Sequence, residues 1–451
     1  MLLEPLQIPM SYGKAAIAVV ALTHALFATF IVGSSLIGAA TETAGWCTSK
    51  RRYDRLAHMI AFTLILTTAA ISFLGVTFIF LLNIFWPRFW STLFRIMFWP
   101  LLLEACLFLG EAIFAYAWFY SWDWAEDNPK RKRLHLTFGW LAAGSALGAM
   151  MVIDMVASYM LTPRSPDLLW ERLFNPTMIH LHLHRWFGNL TWTGFALSAL
   201  CAAAYVRART DEDKRHYKWA GGYCFAIGFG ALLAMPIIGY EYLLRIRYEQ
   251  PQAFHTLMLG GRSWLFDVVA LLYSLLIILG SFYIARGLKA ASQGNSSDSS
   301  SRLVLSVSLA VVIVAGIVFS MPYHLQHIPG LHVLTDQATN PLGKMQPNKY
   351  FAIAFLVLFG LLNWTYFFRS FWGRIPWWES GPAGRQDRVT PTLLIALSLC
   401  AMLTMLTMGW VRETARAYNG YLIYGEISFE DERSTYEGPS RSPLQEEERR
   451  D

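Results

Sequence analysis

Charge is what this chain of 451 residues has least of: Asp, Glu, Lys and Arg together make up 15% of it, against ~25% in an ordinary soluble domain. So few charges cannot clothe a water-soluble body of this size, and a soluble fold is excluded. Cysteine is sparse as well. Cys47, Cys106, Cys201, Cys224 and Cys400 are scattered, with no C-x-x-C pair, no zinc spacing and no C-x-x-C-H for covalent haem attachment. The opening MLLEPLQIPMSYGK lacks a basic stretch ahead of its apolar run and is followed by no small-residue cleavage site, so the first hydrophobic segment is expected to stay as a helix. The net charge of +6 is spread over loops, which speaks against nucleic-acid binding.

What the chain does have is hydrophobic length. With 55% hydrophobic and 15% aromatic residues, it reads as an all-α, polytopic membrane helix bundle. Ten runs of spanning length fall at about 13–44, 58–85, 96–121, 134–161, 178–206, 217–243, 262–285, 303–320, 349–371 and 391–411, each near the ~20 apolar residues that a bilayer requires. Loops 45–57, 122–135, 207–218, 286–302 and 369–388 carry about 20 Lys and Arg, and the opposite loops about 9. The positive-inside rule therefore places both termini outside. Residues 1–425 form the bundle in this reading, and residues 426–451 a charged tail without order of its own.

The third span, Met97 to Tyr120, holds two carboxylates, Glu104 and Glu111. Seven residues are two helical turns, so both acids point to one side of the rod, about 10 Å apart along it. An ionised carboxylate in hydrocarbon costs at least ~2.5 kcal/mol, so such residues face a bundle interior and serve protons, ions or a cofactor, or else bond to neighbouring helices. A carboxyl desolvated at that depth can hold a proton near neutral pH, as a relay requires. The first span contributes His24, either a ligand or a hydrogen-bonded core residue, and Glu42, expected at the membrane interface. The fourth adds Asp154, which either packs or acts.

The fifth span opens with NPTMIHLHLHRWFGN. His180 and His184, four apart, share a helix face, and His182 points away. Imidazole suits haem iron or copper, although an aromatic, polar helix end would also account for the run. After the sixth span, Glu241, Arg245, Arg247 and Glu249 read as a solvated cluster; the seventh holds Asp267, and ASQGNSSDSSSR is a flexible inner linker. Outside the eighth span, SMPYHLQHIPGLHVLTDQ supplies His324, His327 and His332. The first two are candidates for a metal such as copper, or plain loop histidines. The last span ends in MGWVRETARAYNGYLIYGEI, where Glu413 and Arg416 are i,i+3 and either pair with each other or divide between a cofactor and its propionate.

These stretches together resemble subunit I of the cytochrome bd-type terminal oxidases: His24 followed by Glu42, the pair Glu104 and Glu111, SYMLTP closing the fourth span, NPTMIHLHLH, and GWVRETARAYNGYLIYG. The resemblance covers spans one to six and nine to ten. It implies a bacterial cytoplasmic (inner) membrane protein with two to three haems, of type b and/or d, that reduces dioxygen to water beside a second membrane subunit. By the same resemblance His24 is the histidine ligand of the high-spin site and Glu104 the acid beside it. Glu111 is the acid of the proton route, though the family's two acids are usually eight apart and here seven. His184, nine residues after Asn175, matches the ligand of the low-spin haem b. Glu413 matches a haem-ligating glutamate and Arg416 the arginine of the GRQPW signature, whose remainder is altered to RAYNG.

The departures carry information too. The family's second low-spin ligand, a methionine, falls on Leu356. Its quinol-oxidising loop carries a lysine and a glutamate where QPQAFHTLM has Ala253 and Met258. Two additional helices and the His-rich segment, about 262–345, stand in place of that loop. The first reading is accordingly a bd-like oxidase subunit fed by a quinol or by an outer-face cytochrome c. A second is a haem b subunit exchanging electrons between quinones and a redox partner without oxygen chemistry. A third, a proton-coupled transporter, lacks the inverted repeat and broken helices such proteins show.

Overall fold

The structure, a computed structural model, describes residues 10–126, 128–163, 168–258, 262–291, 299–321, 347–372 and 388–418. The described residues contain helices and no strand. In chain order these are α1 (Met10–Thr48), α2 (Arg51–Phe85), α3 (Pro87–Ile96), α4 (Phe98–Tyr120), α5 (Trp122–Ala125), α6 (Pro129–Tyr159), α7 (Leu169–Leu173), α8 (Met178–Arg207), α9 (Asp211–Glu249), α10 (Pro251–Met258), α11 (Trp264–Ala291), α12 (Ser299–Ser320), α13 (Pro347–Phe371) and α14 (Val389–Tyr418). Ten of them, all but α3, α5, α7 and α10, are long and apolar enough to cross a membrane. They coincide with the ten predicted runs. Several overshoot: α9, at 39 residues, is about 58 Å long, so its polar ends reach past the hydrocarbon.

Local chemistry sets the ends. Asn128 caps α6 by accepting from Lys130 N at 2.9 Å, with Pro129 at the first helical position. Thr210 caps α9 by accepting from Asp213 N at 3.1 Å, ahead of three acids that suit the helix dipole. Large apolar side chains such as Phe73, Val76 and Phe80 of α2 are 73%, 70% and 62% exposed. In water such a surface would aggregate; in hydrocarbon it is the ground state.

The bundle has two lobes, joined where α1 packs on α8. In one, α1, α2, α4 and α6 pack around Ile31, Leu64, Ala115 and Trp118. In the other, α8, α9, α11, α12, α13 and α14 enclose a core that includes Phe195, Phe225, Phe229, Tyr283 and Leu397. Because lipid removes the hydrophobic drive between helices, close approach through small residues does the work. Gly194 of α8 meets Gly228 of α9 backbone to backbone, and a Cβ at Gly194 would sit 2.5 Å from both the Cα and the N of Gly228. Gly194→Val is therefore expected to destabilise by at least ~1–3 kcal/mol, read as a lower midpoint of unfolding in detergent. Gly188→Ala is the control: its Cβ would meet only Met235 Cε at 3.9 Å.

Candidate functional site

α1 and α8 run in the same direction and cross closely. Trp192 Nε1 donates to Leu26 O at 3.1 Å, Thr193 Oγ1 donates to Thr29 O at 3.3 Å, and a side chain at Gly33 would collide with Asn189 and Thr193. Nine residues back from that crossing, His24 lies level with the first turns of α8. Gly409 of α14 abuts Leu22 there, and Gly239 of α9 abuts His184. Four helices thus meet at the His24 end of the bundle.

His24 is half-buried and its Nδ1 is fully buried without a hydrogen-bond partner. Its ring stacks on Phe78 of α2 with centroids 6.3 Å apart, and a Cβ on Gly75 would stand 3.4 Å from its Cε1. His184 repeats the pattern. Its Nδ1 is buried and unpartnered, its ring lies 6.0 Å from Tyr242, and a Cβ on Gly239 would stand 3.7 Å from its Cε1. His180 keeps a buried, unpartnered Nδ1 as well. His182 turns elsewhere, with Nδ1 3.3 Å from Asp154 Oδ2. Asp154, fully buried on α6, also accepts from Arg185 Nη1.

Glu413 of α14 is paired with Arg412. Arg412 Nε and Nη2 both lie 2.9 Å from Glu413 Oε1, a fork that positions the carboxylate. The Arg416 side chain lies outside the described residues, as do His324, His327, His332 and the tail 426–451. On α4, Glu111 is 3% exposed with Oε1 unpartnered, and Glu104 is half-buried two turns away. Phe108 and Ala115, which bracket Glu111, join the cluster that includes Phe27 and Ala28 of α1. The acids therefore line the lobe that holds His24.

Glu42, near the end of α1, is fully buried among its neighbours: it accepts from Trp118 Nε1 at 2.6 Å and from Lys132 Nζ at 2.5 Å. His135 Nε2 stands 2.8 Å away, near enough for an ion pair though poorly aligned for a hydrogen bond, and His135 Nδ1 meets Ser121 Oγ at 2.7 Å. Lys132 and His135 were hidden in a basic loop, KRKRLHL, that reads as solvated. Arg185 and Arg412 belong to no ligand spacing in the sequence, although an arginine inside an apolar span is itself a signal.

Leu356, where the resemblance leads one to expect a methionine, is fully buried in the core of the second lobe on α13. Ala253 and Met258, where the resemblance leads one to expect a polar quinol-loop pair, are fully buried on α10, which packs on α9 and α14. Among the described residues no three His, Cys, Asp or Glu side chains gather closely enough to hold a metal ion by themselves.

A family model described as cytochrome bd terminal oxidase subunit I matches residues 13–258. A chain of the bd oxidase from Geobacillus thermodenitrificans is similar in structure, with a TM-score of 0.55 at 16% identity, covering 91% of this chain and 99% of that one. At that identity the likeness concerns the fold. No curated protein matches in sequence.

Proposed function

Because the chain belongs to the family of cytochrome bd terminal oxidase subunit I, we propose that it is the haem-bearing subunit of a bd-like oxidase that reduces dioxygen to water. The observation that carries this reading is the pair of imidazoles, His24 and His184, each with a buried and unpartnered ring nitrogen and neither in a cluster of three ligands. A metal gripped by a single imidazole needs its other ligands from elsewhere, and a porphyrin supplies four. The residues fit the group.

His24 and His184 would each hold a haem iron, and Glu413, oriented by Arg412, would serve the site shared with His24. Haem, when bound, supplies iron that accepts single electrons and binds dioxygen. Glu111, enclosed and unpartnered, holds a proton and passes it along α4 towards Glu104, which stands nearer the His24 end. Haem b and haem d, two to three in all, are the types the family reading brings. A second membrane subunit completes the assembly, which sits in the bacterial cytoplasmic membrane with both termini outside.

Ala253 and Met258, fully buried, offer no polar pair to a quinol headgroup. This supports an outer-face cytochrome c, or a similar carrier, as the donor. His324 and His327, with copper as a candidate, would then lie on the entry path. Purified complex is expected to show a Soret band, a pyridine haemochrome and a carbon monoxide shift on reduction, and to consume oxygen with reduced cytochrome c at least ~10-fold faster than with quinol. No Soret band would overturn the oxidase reading. Haem without a carbon monoxide shift would favour an electron-transfer subunit, and rapid quinol oxidation without a soluble donor would overturn the donor assignment alone.

A further inference from the structure

Near the candidate haem histidines lies buried charge of which one pair, Asp154 and Arg185, has no part in the proposed reaction. Glu413 and Arg412 of α14 pair at 2.9 Å, Asp154 of α6 is fully buried and bonded by Arg185 of α8, and His182 adds a contact to Asp154 at 3.3 Å. Arg185 follows His184 directly in sequence and stands in the first turns of α8, the level of the bundle at which His24 lies. The guanidinium side chains of Arg185 and Arg412 are 20% and 29% exposed. Water therefore screens them weakly. A membrane interior does not keep an arginine and an aspartate for packing alone, since apolar residues would fill the space without the desolvation cost.

We infer that Arg185, held in place by Asp154, sets the reduction potential of the haem ligated by His184 and of the haem ligated by His24, acting as a fixed charge beside these centres. The inference rests on the haem reading above. A haem carries one more positive charge oxidised than reduced, so a nearby fixed cation favours the reduced form and a nearby anion the oxidised form. In protein surroundings a unit charge within about 10 Å shifts that balance by about tenfold, or about 59 mV for a one-electron couple. Asp154 offsets part of the arginine's effect and fixes where the rest is applied. The partial cancellation lets a permanent charge reside in the bundle and still bias electron transfer between the haems.

The test is potentiometric titration of the haem absorbance in the intact purified complex, with haem content read alongside. Arg185→Gln is expected to lower the midpoint of at least one haem, by a shift on the order of that tenfold change. Asp154→Asn is expected to raise it. Arg185→Lys, which keeps the charge, is expected to stay near wild type. Midpoints that do not move, or that move the same way in Arg185→Gln and Asp154→Asn, overturn the inference, because a merely structural pair has no reason to shift potentials in opposite directions. If Asp154→Asn does not accumulate, the comparison of Gln with Lys at position 185 decides alone, and equal midpoints overturn it. Loss of haem from both position-185 variants marks the pair as structural and overturns it too. Wild-type protein without haem overturns the oxidase reading together with this one; haem present with unmoved midpoints overturns this one only.

Discussion

Replacing His184 by alanine should strip one haem from each chain, seen as loss of one haem equivalent in the pyridine haemochrome. Oxygen consumption should fall at least ~100-fold, since even residues that only orient a metal's ligands cost 10- to 100-fold when removed. The argument is one of alternatives. His184 Nδ1 is buried with no partner, Gly239 leaves the ring uncrowded on that side, and Leu356 offers no second side-chain ligand from α13. Iron held on the protein side by one imidazole has nothing to fall back on. His182→Ala is the matched control: its imidazole is spent on Asp154, so haem content should stay at the wild-type level. A His184→Ala protein with its full complement of haem would falsify the assignment.

Glu42→Ala should cost about 3 kcal/mol of stability, the low end for breaking a buried ion pair, because Lys132 is still 17% exposed and keeps Asp54 at 3.3 Å. The change leaves Trp118 Nε1, Lys132 Nζ and His135 Nε2 facing a void where one carboxylate had answered all three. Glu42→Gln should lose less, since its carbonyl can still accept from one of them. The measurement is the midpoint of denaturant-induced unfolding in detergent, followed by tryptophan fluorescence. Equal midpoints for wild type and Glu42→Ala would show that the cluster is not a structural clamp. A large loss of oxygen consumption with unchanged stability would move Glu42 from scaffold to proton handling.

The ten spans, their order and several of their ends were legible in the chain itself, because hydrocarbon imposes a length and a composition on every crossing that no later packing can revise. The predicted start at 178 is the observed first residue of α8, and the eighth run, 303–320, lies within α12. The isolated histidines and acids stood out for the same reason: a polar group is conspicuous against an apolar rod. Partners were another matter. Spacing along one helix shows that Glu413 and Arg416 share a face, but not that the guanidinium of Arg412 also reaches the carboxylate.

Spacing likewise says nothing of Glu42 reaching Lys132, 90 residues away, or of Asp154 binding Arg185, 31 away. Such pairs depend on how far each helix is rotated about its axis and how closely it meets its neighbour. Those quantities are decided where Gly194 lies against Gly228 and Gly33 against Thr193, contacts between residues that carry almost no pattern of their own. The sequence by itself determined what must cross the membrane and which polar groups must be enclosed by doing so. Only the tertiary structure decided which of those groups answer one another, because rotation and approach are properties of helix pairs, not of any single helix.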